Sequence, residues 1–135
     1  MVLRDLYLQE PALSSLMDKM PRSSKESEAL LRSLLPQSKD VTLRPMFGNL
    51  SAFVGGNMFI GVFGEDFLVR LPESDREELL KVEGSAIFEP MKGRQMKEYV
   101  VVPRSWRRDP AKIMPWVTRS LDWSSKLPAK KPKKR

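Results

Sequence analysis

The chain has 135 residues, of which 41% are hydrophobic and 30% charged, and a formal net charge of +7. That length suits one domain able to bury roughly two thirds of its unfolded surface, and no apolar run approaches the ~18 residues of a membrane span. There is no cysteine and no histidine, which excludes disulfides, zinc sites built on thiolate or imidazole, and Ser-His-Asp or Cys-His catalysis.

The charge is unevenly spread. Residues 126–135, KLPAKKPKKR, hold six basic residues and no acidic one; setting them aside lowers the basic count from 24 to 18, against 17 acidic residues. The body is therefore near neutral and the basicity belongs to a tail, which weakens any reading of the folded surface as a nucleic-acid footprint.

The first segment, MVLRDLYLQEP, has acids within its apolar part and no small-residue cleavage site, so it makes a poor secretion signal. Residues 1–22 form an N-terminal extension in which Leu13, Leu16, Met17 and Met20 share one helical face and Pro21 ends the pattern. Three readings stay open for it: a short helix docked on the body, a partly frayed arm, or a dedicated partner-binding helix. Ser23 and Glu26 have capping-box spacing, Leu30, Leu31, Leu34 and Leu35 make one apolar stripe, and Pro36 stops the helix.

Val41 to Met46 reads as extended, and Pro45 places it at a sheet edge. Gly55-Gly56 then predicts a two-residue hairpin turn, with Val54 facing Asn57, Phe53 facing Met58 and Ala52 facing Phe59. A second tight turn at Gly64-Glu65 or Glu65-Asp66 leads into Phe67–Leu71. Strict alternation assigns Phe53, Met58, Ile60, Val62, Phe67, Val69 and Leu71 to a face under helices. It leaves Leu50, Ala52, Val54, Asn57, Phe59, Gly61, Phe63, Leu68 and Arg70 on a mixed face. That second face holds more aromatic surface than a fully solvated one normally shows.

Ser74 and Glu77 repeat the capping-box spacing before Leu79, Leu80 and Val82, with Gly84 as the stop. Ala86–Met91 and Met96–Val102 are predicted strands around a turn at Lys92-Gly93-Arg94. Asp109 and Pro110 read as a cap and first turn. Pro115 allows either a loose turn followed by a helix or one bent helix carrying Trp116, Val117, Ser120, Leu121 and Ser124. The expected organisation is an N-terminal extension at 1–22, a folded domain at 23–125 and a disordered basic tail at 126–135.

Little in this pattern carries chemistry. Glu77-Glu78 and Glu65-Asp66 are sequence neighbours, unlike the facing carboxylates of a glycosidase. GxxxxGK[ST] is absent, and Gly55-Gly56 precedes a strand rather than a phosphate-holding helix. Arg44, Arg70 and the group Lys92, Arg94 and Lys97 read as surface charge and edge protection, with a phosphate or carboxylate site as the alternative, and Trp106 reads as a core plug, with base stacking beside Arg107 and Arg108 as the alternative. No catalytic residue, cofactor, metal or small-molecule substrate is expected.

Three segments in order resemble the N-terminal domain of the TfoX/Sxy family: RPMFGNLSAFVGGNMFIGVFGEDFLVRL, FEPMKGRQMKEYVVVP and DPAKIMPWVTRSLDW. Met46-Phe47-Gly48 matches the family's entry motif, and Gly93-Arg94-Gln95-Met96 its Gly-Arg-Pro-Met-like element, with Gln95 where proline is usual. The resemblance covers roughly residues 24–125. It implies an α+β fold in which an antiparallel hairpin meander is flanked by N-terminal and C-terminal helices. It also implies a stand-alone short member of a family whose longer members regulate natural competence with the transcription machinery.

The expected function is a cytoplasmic, non-enzymatic regulatory or adaptor domain. Its contact residues would be Phe59, Phe63, Arg70 and Arg94, meeting a protein partner or a second copy. The alternative is loose, non-specific phosphate binding to nucleic acid through Lys126, Lys130, Lys131, Lys133, Lys134 and Arg135.

Overall fold

The computed structural model describes residues 23–46 and 48–129. Among these residues the chain runs from helix α1 (Lys25–Leu34) through strands β1 (Val41–Met46), β2 (Asn49–Val54), β3 (Asn57–Phe63) and β4 (Asp66–Arg70). Helix α2 (Glu73–Leu80), strands β5 (Ala86–Met91) and β6 (Arg94–Val101), a 3-10 turn (Arg104–Arg108) and helix α3 (Pro110–Ser125) follow. The fold is α+β, with all six strands in one antiparallel sheet ordered β1-β2-β3-β4-β6-β5. The meander therefore holds only through β4. The connection through α2 lets β6 pair with β4, and β5 becomes the outer edge.

Pro45 does sit on an edge strand, β1, where its missing N–H costs no ladder bond. Gly55 and Gly56 both take positive φ, 57° and 78°, as the predicted tight hairpin turn requires. The next turn is Gly64-Glu65, with Phe63 opposite Asp66.

Neither expected capping box forms: the first helix is capped one residue later than expected and the second two residues earlier. Helix α1 starts at Lys25, so Ser24 is its cap, and the Ser24 Oγ accepts from the Ser27 amide at 3.1 Å. Helix α2 starts at Glu73, directly after Pro72, and no side chain caps it. Leu71 is already held at the end of β4, its N–H donating to the Glu98 carbonyl at 3.0 Å, and the φ of Pro72 (−67°) starts the helix at once. Helix α3 is one helix with Pro115 inside it and Pro110 in its first turn.

All three helices bury their apolar stripes on one side of the sheet. Leu31 and Leu34 of α1, Leu79 of α2, and Ile113, Trp116 and Val117 of α3 meet Ile60, Val62, Phe67, Val69, Leu71, Val100 and Val102. Fully burying such a side chain contributes about 1.5–3 kcal/mol before the entropy of ordering it is subtracted. Trp106 packs against this core from the 3-10 turn and remains half-buried.

Strict alternation breaks at Phe59. Phe53 pairs with Met58 and Val54 with Asn57, as expected, but the next partner of β2, Ala52, is Ile60. Phe59 is the extra residue of a β-bulge, which shifts every side chain beyond it by one position. Leu50, Ala52, Val54 and Phe59 consequently lie with the helices, while Phe53 and Met58 turn to the opposite face. That reverses the faces expected for these six residues.

Candidate functional site

The second face of the sheet has its own apolar cluster. Phe53, Met58, Leu68, Phe88 and Tyr99 form its centre, with Met46, Phe63, Met96 and Val101 around them. Every member comes from a strand or its end, and among the described residues the apolar stripes of α1, α2 and α3 all lie on the other side.

Bulge, turns and pairing build this surface together. The bulge delivers Phe53 and Met58, and the β3–β4 turn delivers Phe63 and Leu68. Irregular pairing between β5 and β6, where Ile87 faces Val100 but Phe88 faces Met96, delivers the last two. Phe63 and Phe88 meet edge to face with centroids 5.2 Å apart, a favoured aromatic geometry. Their strands are separated by β4 and β6, about 14 Å at the usual spacing of adjacent strands, so the sheet curls toward this face. Gly61 lies opposite Ser51 on the same side. A Cβ at Gly61 would stand 2.9 Å from the Ser51 Oγ and 3.6 Å from the Met58 Sδ, so only glycine lets these groups close over it.

Polar groups border the patch. The Arg44 guanidinium lies 4.0 Å over the Phe53 ring, a cation–π contact. The Tyr99 hydroxyl donates to the Met58 carbonyl at 3.0 Å, and its burial pushes the phenol up from its ordinary pKa, against the lowering influence of the nearby Arg70 charge. At the β3–β4 end, a hollow of about 520 Å³ is lined by Phe63, Asp66, Ile87, Phe88, Val101 and Arg104, among others. Asp66 accepts two bonds from Arg104, at 2.9 and 3.0 Å, which raise the guanidinium's pKa.

The residues expected as contacts separate. Phe59 has no exposed surface and packs in the helix-side core, so it is unavailable to a partner; the bulge is the reason. Phe63 lies half-buried on the second face. Arg70 has a side chain only 13% exposed, ion-paired with Glu98 at 2.9 Å and 5.7 Å from the rings of both Tyr99 and Trp123. It braces the end of β4 more than it offers a charge. Arg94 is exposed at the start of β6, beside the hairpin turn and away from the Phe63–Phe88 pair. Lys126 pairs with Asp122 at 3.2 Å. Lys130, Lys131, Lys133, Lys134 and Arg135 lie outside the described residues, as does the amphipathic pattern of residues 11–20.

Alternation hid Phe53 and Met58, and Met46, Phe88 and Met96 lie on strands whose pairing it does not report. Gly61 inside a strand was the local signal of a bulge and a close approach. What the assembled surface can do chemically is limited and specific. Met46, Phe63 and Met96, each half-buried, are the accessible part of this face and can adapt to side chains of varied shape, while Phe53, Met58, Leu68 and Phe88 are buried beneath them. No group of three or more potential metal ligands occurs among the described residues.

The family model of the TfoX N-terminal domain matches residues 33–124. That is more than half of the chain. The chain belongs to the TfoX N-terminal domain family. The match begins in the last turn of α1 and ends in α3. It therefore takes in the whole TfoX N-terminal sheet, with the second face and the helix-side core apart from Leu30 and Leu31. Membership supports a regulator-like domain. No curated protein and no solved structure gives a significant match. No helix among the described residues is long and apolar enough to cross a membrane.

Proposed function

We propose that this TfoX N-terminal-like chain is a non-enzymatic adaptor that acts by binding another protein through the second face of its sheet. One observation supports this reading above others. The helices take one side of the sheet, and the other side carries a contiguous apolar set in which Phe53, Met58, Leu68 and Phe88 are buried and Met46, Phe63 and Met96 stay half-buried at the margin. A sheet face with no described helix on it ordinarily carries polar side chains. Large apolar clusters rimmed by charge mark protein contacts. Arg44 at one border and Asp66 with Arg104 at another supply such a rim. The transcription machinery, with which longer relatives act, is one candidate partner.

The test is affinity capture from the native host with three baits: the unaltered chain, Phe63→Glu, and the chain lacking residues 126–135. The adaptor reading expects a partner that survives loss of the tail and disappears with Phe63→Glu, while the circular dichroism of that variant matches the parent. The opposite pattern, loss with the tail and retention by Phe63→Glu, moves the activity to the basic tail and nucleic acid. Light scattering across a concentration series identifies the remaining outcome, a second copy of this chain on the same face.

A further inference from the structure

The sheet ends in two edge strands, β1 and β5, and they are not alike. On β1, Pro45 has no N–H to offer, and the Val41 N–H already donates to the Ser38 carbonyl at 3.3 Å. That edge is closed to another strand. On β5, Ala86 to Glu89 precede Pro90, and among the described residues their backbone groups bond to nothing beyond β6. We infer that the β5 edge takes up an extended segment of a protein partner, paired main chain to main chain along Ala86–Glu89. Its apolar side chains enter the hollow beside Phe63 and Phe88, and a lysine or arginine meets Glu89. The inference rests on the adaptor reading and gives that reading's partner a form.

Edge and hollow coincide. Ala86, Ile87, Phe88 and Glu89, the β5 residues before Pro90, all line the hollow of about 520 Å³ at the β3–β4 end. The hollow therefore runs along the stretch of this edge that proline leaves open. Successive side chains of a strand point to opposite faces. A strand laid beside β5 thus sends every second side chain toward Phe63 and Phe88, which meet edge to face on the second face. Phe63 and Ile87 are half-buried, so apolar surface remains there to be covered. Backbone bonds supply affinity in such pairing, and the hollow chooses among side chains.

Charge decides the kind of segment. Three carboxylates stand on the wall of the hollow, and two are already neutralised, Glu65 by Arg107 and Asp66 by Arg104. Glu89 is exposed. It accepts from the Gly93 N–H at 2.6 Å and from the Gln95 side-chain amide at 3.5 Å, and among the described residues no cation pairs with it. An acid left uncompensated beside an open edge favours a basic residue on the incoming strand and repels an acidic one.

The test uses the full chain, isotope-labelled for NMR, and a synthetic probe, acetyl-Val-Lys-Val-Thr-Val-amide, whose β-branched residues favour an extended backbone. At millimolar probe, the amides of Ala86–Glu89 that do not bond to β6 should shift and exchange more slowly with solvent, and the Phe63 ring signals should shift with them. A twin probe with glutamate in place of lysine should bind about two- to fivefold more weakly, the range of an exposed ion pair. That difference should vanish in Glu89→Gln, which keeps an acceptor for the Gly93 N–H. A probe methylated at every amide nitrogen should not bind. The inference is overturned if the parent probe leaves Ala86–Glu89 unchanged, if the methylated probe binds equally well, or if the glutamate twin binds as tightly as its parent. It is also overturned if these amides gain protection with protein concentration alone, because a second copy then holds the edge. None of these readouts depends on capture of a partner, so edge pairing and the adaptor reading fail separately.

Discussion

Ser120 of α3 donates its hydroxyl to the backbone carbonyl of Phe59 at 2.5 Å, and neither residue has any exposed surface. The bulge that separates the two faces of the sheet is thus held from the helix side by one side chain. A bulge frees a backbone group from the ladder, and a buried carbonyl without a partner costs free energy.

Ser120→Ala should therefore lower stability by about 1–3 kcal/mol, the cost of stranding that carbonyl. Urea denaturation measures it. A change below ~0.5 kcal/mol, typical of an uninvolved surface site, would show that the bulge does not need this bond.

Gly61→Ala should destabilise as well, because the added Cβ would approach the Ser51 Oγ to 2.9 Å. The hydroxyl can turn away, so the cost belongs at the low end of overpacking, about 1 kcal/mol. Ser51→Ala removes the obstructing atom. In the double variant the penalty should largely vanish, and a double-mutant cycle by urea denaturation reads this as coupling. Strictly additive effects would place the two residues apart.

Much of this architecture was legible because its signals are local. Gly55-Gly56 between alternating apolar residues can hardly be anything but a hairpin, and Pro45 could only stand at an edge. The orientation of Phe53, Met58 and Phe59 was not legible, since alternation looks equally regular on both sides of a bulge and does not record where the register slips. Phe63 was correctly assigned to the second face because it lies beyond the slip, in phase with Leu68. Phe88 and Met96 were missed for another reason. They reach this surface only because β6 inserts beside β4, a pairing between segments far apart in the sequence that no pattern within the strands reports.

Tyr99 makes stability pH-dependent in the alkaline range. Burial raises its pKa above the ordinary 10.0, so the unfolded chain loses its proton first. The contribution is fully present below about pH 10 and is lost as pH rises through the folded-state pKa. Denaturation midpoints should fall above that pH, and fall less steeply in Tyr99→Phe. Absorbance titration should show a tyrosine ionising above the ordinary range, a step absent from Tyr99→Phe. A Tyr99 step at the ordinary value would contradict the burial argument.

Any contact this chain makes with nucleic acid should reside in residues 126–135, because the remaining residues carry nearly balanced charge. Binding to a random duplex should be weak. With six cations engaged at most, its log–log slope against salt should be no steeper than about −5. Filter binding with and without those residues measures both. Sequence-selective binding by the shortened chain would reveal a site on the folded body.

The most direct measurement of the central claim is the set of nuclear Overhauser contacts made by the Met58 methyl group. A two-faced sheet divided at the Phe59 bulge predicts contacts to Phe53, Leu68 and Tyr99, and none to the α3 residues Ile113 and Val117. Contacts from Met58 to Ile113 or Val117 would put it beneath the helices, and the second apolar face would not exist as described.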